Sequence, residues 1–168
     1  MKEKLEKFLF VDGTRAFAVL DGASVPDLPM KIYEMQPHVA CLYRGELEPD
    51  LAEVAPYLVE LFPGTTFTDW LLTEGTKGDH WGIFARSPFS LTELRKHFRK
   101  FLTVYDDAGK PLLFRYYDPR VLVKFLPTCD TENLEKLFNR VTDYLAEDGA
   151  SGFNLFELQN GKLSTKNI

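Results

Sequence analysis

Apolar positions along this chain change period several times, and each change predicts an element. Residues 1–9 predict a short, charged helix. Arg15 to Leu20 is nearly all apolar and β-favouring, the pattern of a strand covered on both faces. It ends at Asp21-Gly22-Ala23, where glycine permits a sharp turn. A short helix follows from Pro29 to Met35, with proline tolerated in its first turn, then a second strand from Val39 to Tyr43. Between Asp50 and Leu72, the residues Leu51, Val54, Leu58 and Leu61 recur at helical spacing. That spacing predicts a helix in two pieces, bent at Pro56 and interrupted at Pro63-Gly64. Thr66 or Thr68 caps the second piece, which carries Trp70, Leu71 and Leu72. Trp81 to Ala85 is a third apolar strand.

The second half is punctuated by helix caps. Ser90-Leu-Thr-Glu93 is a capping box, in which serine and glutamate satisfy each other's backbone N–H groups. Leu91, Leu94, Phe98 and Phe101 then form one stripe. Arg95, Lys96, Arg99 and Lys100 form a solvated basic face, with His97 at the boundary. Leu102–Tyr105 and Leu112–Tyr117 flank an Asp/Gly turn and predict a hairpin. Asp118-Pro119 starts a helix, with aspartate as N-cap and proline at the first position. Asp130 caps another, whose Leu134, Leu137, Phe138 and Val141 face inward. The loop from Gly149 to Gly152 leads to an edge strand from Phe153 to Leu158. The order predicts an α/β fold: a mixed β-sheet flanked by helices, with a helical C-terminal part.

Composition narrows the class. With 168 residues the chain suits one domain over 1–168, large enough to bury a core without metals or disulfides. Hydrophobic residues at 45% and charged ones at 27% are ordinary for a globular protein. A net charge of −5 argues against nucleic acid as a partner, because phosphate binding needs clustered Lys and Arg. Cys41 and Cys129 stand far apart and read first as buried thiols in a reducing compartment, with a single bridge as the alternative. The charged N-terminus lacks the apolar stretch of a signal peptide, and no run reaches the ~20 apolar residues of a membrane helix. The expectation is a soluble, cytoplasmic protein without a membrane partner.

The search for reactive chemistry yields little. There is neither a P-loop nor a glycine-rich dinucleotide fingerprint, and Gly-x-Ser-x-Gly is missing. His38, His80 and His97 fall on three different elements, without metal-ligand spacing. Cys41 reads as a core cysteine rather than a partner of His38 or His80. Asp21 and Asp118 are the most suggestive carboxylates; acid/base chemistry requires them to converge in a cleft. The simpler reading is that Asp21 shapes a turn and Asp118 caps a helix, with Arg115 and Arg120 balancing the charge. Neither reading calls for a cofactor. Tyr57, Phe62, Phe67 and Trp70 crowd one region and form a candidate partner surface.

Several ordered motifs carry a resemblance. Phe17-Ala-Val-Leu-Asp-Gly-Ala23, Ala55-Pro-Tyr-Leu-Val59, Trp81-Gly-Ile-Phe-Ala-Arg-Ser87 and His97-Phe98-Arg99 lead to Gly109 and then to Phe114-Arg-Tyr-Tyr-Asp-Pro-Arg-Val-Leu122 and Phe125-Leu126-Pro127. Together, over roughly residues 15–140, they resemble bacterial type VI secretion effector chaperones, the Tap/Tec adaptor family. The resemblance implies a non-enzymatic cytosolic adaptor that binds an effector toxin and loads it onto the VgrG spike or a PAAR-type tip. It implies no cofactor, and it makes Asp21, Gly22, Arg115, Asp118, Pro119 and Arg120 signature positions that hold the fold. Residues 141–168 form a short C-terminal extension, where some relatives carry a fuller lobe. Two other readings suit a small acidic α/β domain: an immunity protein that blocks a toxin, and a small hydrolase using Asp21 and Asp118.

Overall fold

A computed structural model describes residues 2–149 and 152–168. Its frame is a seven-stranded sheet among the described residues, in the order β2-β3-β1-β4-β7-β8-β9, with every neighbouring pair antiparallel. The strands are β1 (Arg15–Asp21), β2 (His38–Cys41), β3 (Pro56–Leu61), β4 (Gly82–Ser87), β7 (Asp143–Glu147), β8 (Phe153–Gln159) and β9 (Lys162–Asn167). The α-helices are α1 (Lys2–Leu9), α2 (Leu28–Met35), α3 (Pro49–Val54), α4 (Thr66–Thr73), α5 (Leu91–Arg99), α6 (Pro119–Phe125) and α7 (Thr131–Phe138). A separate two-stranded ribbon pairs β5 (Thr103–Tyr105) with β6 (Pro111–Leu113). None of the described helices is long and apolar enough to cross a membrane.

Strand periodicity explains the layers. Along β1, Ala16, Ala18 and Leu20 point to one face, while Phe17 and Val19 point to the other. The first face is covered by Leu5 and Leu9 of α1, Leu28 of α2, and Phe67 and Leu71 of α4. The second is covered by Leu94 and Phe98 of α5, Leu122 of α6, and Leu134 and Leu137 of α7. A strand buried on both faces needs no polar side, which is why β1 reads as an unbroken apolar run.

Three caps fall where the sequence puts them, but α4 has Thr65 at its N-cap, with no side-chain capping bond, instead of Thr66 or Thr68. Ser90 and Glu93 form the complete capping box of α5, and the side chains of Asp118 and Asp130 accept backbone N–H groups of α6 and α7. The α/β class with flanking helices is also as expected, but the sheet is antiparallel throughout instead of mixed.

Other expectations are corrected. The two-piece helix over 50–72 is a short helix, a strand and a second helix. Pro56 opens β3 instead of bending a helix, and Leu58 and Leu61 are buried from a strand. Leucines at spacings of three and four fit a helix, but Tyr57-Leu-Val-Glu-Leu61 also satisfies β1 on one edge and β2 on the other. Long-range pairing overrides the local period. The helical C-terminal part holds only through α7; beyond it come β7, β8 and β9. The strand from Phe153 is not an edge, because β9 pairs outside it. The second hairpin strand stops at Leu113 instead of running to Tyr117. Residues 150 and 151 of the Gly149–Gly152 loop lie outside the described residues.

Two side chains of α5 are also more deeply engaged than a solvated face requires. Arg99 donates to the carbonyl oxygens of Cys41, Leu42 and Tyr43, at 2.9, 3.0 and 3.0 Å. It thereby fastens the end of edge strand β2 to the helix. His97 is buried against Phe98 and Phe101, not at a boundary.

Candidate functional site

The signature residues meet at one end of β1. The last residue of that strand, Asp21, is 1% exposed. Its carboxylate accepts from the Ala23 backbone N–H at 3.1 Å and from Ser24 Oγ at 3.0 Å, so the aspartate shapes the turn that follows. Arg115 donates to it from the far side of the chain, forming a charged pair between the turn and the segment entering α6. Gly22 stands where a Cβ would lie 2.6 Å from the carbonyl oxygens of both Glu53 and Ala55. Its N–H donates to the Ala55 oxygen, so α3 and the start of β3 lie directly against the turn.

Asp118 sits three residues beyond Arg115. Its Oδ1 accepts from the backbone N–H and Nε of Arg120, at 2.9 and 3.0 Å, and its Oδ2 from Nη2 at 2.6 Å. Burial pushes the pKa of this carboxyl up, but the bonds from Arg120 outweigh that and hold it below the ordinary value. Pro119 fills the first helical position, where its missing N–H costs nothing. Between the two arginines, Tyr116 and Tyr117 are 1% exposed and anchor the segment in the core. The Tyr116 hydroxyl donates to the Phe98 carbonyl at 3.1 Å.

This arrangement is poorly suited to proton transfer. Each carboxylate is engaged by a guanidinium and by further donors of its own turn or helix start, whereas a general acid needs an open face. A neighbouring depression of about 240 Å³ is lined by His80, Pro119, Arg120 and Glu147, among others, but by neither aspartate. Among the described residues, no group of three or more His, Cys, Asp or Glu side chains could hold a metal ion. His38 lies 3.5 Å from Glu60 on β3, and His97 lies between α5 and α7.

The proposed aromatic surface does not hold together. Phe67 is 1% exposed and belongs to the core. Trp70 is half-buried, edge-on to Phe67 and beneath the Lys31 ammonium. Tyr57 is half-buried on β3 and donates to the Ala52 carbonyl at 2.9 Å. Only Phe62 stands out, at 41% exposed. The strand at 56–61 is the reason: pairing on both edges carries its neighbours into the packed face.

Exposed apolar side chains gather elsewhere. Val104, Tyr105, Leu112 and Leu113 all lie on the β5–β6 ribbon, with Tyr105 70% and Leu113 56% exposed. Met30 and Tyr33 of α2, with Leu51 and Val54 of the adjoining α3, form a second group. The sequence carried one signal for the ribbon: apolar residues on both faces of strands that are too short to be covered on either side.

The family model described as Domain of unknown function (DUF4123) matches residues 16–136, a segment containing all six signature residues. No curated protein and no solved structure matches the chain.

Proposed function

From the premise that this chain belongs to the DUF4123 family, we propose that it is a type VI secretion adaptor, which binds an effector toxin and promotes its loading onto VgrG or a PAAR-type spike protein. In this reading it works in the cytoplasm of the producing cell, without cofactor or catalytic turnover. The carrying observation is that the six signature residues fall inside the matched segment and are spent on the fold: Arg115 ties the turn at Asp21 and Gly22 to the segment entering α6, and Asp118, Pro119 and Arg120 start that helix. With those groups occupied, function falls to surface fit. The exposed apolar side chains on the ribbon and on α2 and α3 supply anchors of the kind partner sites use. A loading factor must also release its cargo, so modest, separable patches suit it better than one large interface.

The test is paired. A tagged copy should co-purify with the toxin and spike of the same secretion apparatus, and deletion should abolish toxin delivery while the producing cell stays viable. A producing cell poisoned by the deletion would instead identify an immunity protein. A chain that binds neither toxin nor spike would remove the adaptor reading.

A further inference from the structure

The β5–β6 ribbon has one open edge, and the groove beside it has a chemistry. In an antiparallel pair, alternate residues exchange both hydrogen bonds, while those between them turn N–H and C=O outward. The Phe114 N–H donates to the Leu102 carbonyl at 2.8 Å and the Asp106 N–H to the Lys110 carbonyl at 3.0 Å. With Val104 opposite Leu112, these fix the inward-bonded positions. Thr103 and Tyr105 therefore turn their backbone groups away from β6. On the other side, Pro111 and Leu113 do the same, but Pro111 has no N–H to offer and blunts that edge. Only the outer edge of β5 presents consecutive outward donors and acceptors.

Beside that edge lies a cavity of about 140 Å³. Thr103 and Val104 line it from β5, Phe101 and Phe114 from either side of the ribbon, and Phe125 from α6. Asn133, Lys136 and Leu137 line it from α7, and Lys100 completes the wall. The lining thus combines three phenylalanines, Val104 and Leu137 with Thr103, Asn133 and two lysines, its ionisable residues, on a chain whose net charge is −5. Among the described residues Lys136 is paired with Glu132, and Lys100 makes no ion pair.

We propose that an extended, apolar, carboxylate-bearing segment of the cargo adds to the outer edge of β5 as a third strand and lies in the groove between β5 and α7. The backbone edge supplies affinity through main-chain hydrogen bonds, and the phenylalanine-lined pocket and Lys100 select the side chains. A lone two-stranded ribbon is marginal in water, and a third strand completes it. The proposal rests on the adaptor reading for the identity of the partner, but the edge and the groove are tested separately.

The probe is a phage-displayed library of random peptides, selected against the full chain. Enriched peptides should alternate apolar residues and carry at least one carboxylate, and they should slow hydrogen exchange at the Thr103 and Tyr105 amides. Tyr105→Pro removes an outward donor without touching the bonds to β6, and should weaken the selected peptides roughly tenfold or more. Lys100→Glu with Lys136→Glu alters two surface side chains and should turn selection toward basic peptides. Unchanged selection in the charge-reversed variant, or binding that leaves the Thr103 and Tyr105 amides unprotected, would overturn the proposal. So would a concentration-dependent dimer that Tyr105→Pro dissolves, since a second copy would then occupy the edge. If toxin and spike still co-purify with the Tyr105→Pro chain at wild-type levels, the docking site is wrong and the adaptor reading stands. If the wild-type chain captures neither, the adaptor reading fails, while the peptide result still reports on the groove.

Discussion

The α4 region and the β5–β6 ribbon are both rich in large apolar residues, yet one is interior and the other surface. Phe67, Leu71 and Leu72 of α4 are each 2% exposed or less, because the helix lies on a sheet face already lined by β1 and β3. Val104 and Leu112 are 39% and 44% exposed, because among the described residues their strands pair only with each other and stand apart from the main sheet. Composition is similar in the two places. What differs is how many layers of the fold pass over each, so apolar content alone does not identify a binding surface.

The comparison can be broken by mutation. Phe67→Ala should cost about 3–5 kcal/mol in denaturant unfolding, the usual range for deleting a buried ring. A loss as small as that of a surface change would mean that α4 is not packed as described. His97 probes the helical layer on the other face. Its Nε2 donates to the Leu137 carbonyl at 3.0 Å, since a carbonyl can only accept. Burial, the largest influence, depresses its pKa from 6.5 to about 4. The unfolded chain therefore binds the extra proton first as pH falls. Stability is full above about pH 6.5 and declines toward pH 4, by on the order of 3 kcal/mol for this group. His97→Gln should flatten that decline relative to the wild type in urea titrations at stepped pH; parallel curves would contradict the buried neutral ring.

A smaller effect is expected at the junction. Gly22→Ala places a methyl group against the backbone carbonyls of Glu53 in α3 and of Ala55 at its C-cap, and should cost about 1–3 kcal/mol by forcing them away. Thermal unfolding reads this directly, and a neutral result would show that the turn has room. The smallest effect belongs to the ribbon. Leu112→Ser and Leu113→Ser should each change stability by no more than about 0.5 kcal/mol. If either destabilises the fold as much as Phe67→Ala, the ribbon is part of the core and the contrast between the two regions collapses.

Local signals in the sequence carried the caps and the strands buried on both faces. Ser90 with Glu93, Asp118 with Pro119, and Asp130 act through neighbours within a few residues, so their roles follow from short-range hydrogen bonding. The same holds for the turn at Asp21, whose acceptors serve Ala23 and Ser24. The sequence also paired the right charges in kind, setting arginines beside Asp118, but gave no means of seeing that Arg115 reaches Asp21 across 94 positions while Arg120 keeps Asp118.

Features that depend on a distant partner were settled by the assembled fold. Leu58 and Leu61 lie on a strand because β1 and β2 stand on either side of β3, although their spacing fits a helix. Residues 143–147 enter the sheet between β4 and β8, placing the end of the chain beside its middle. Exposure follows the same rule. Whether a phenylalanine or leucine meets water is set by the layers packed over it, and those layers come from chain segments that no local pattern connects to it.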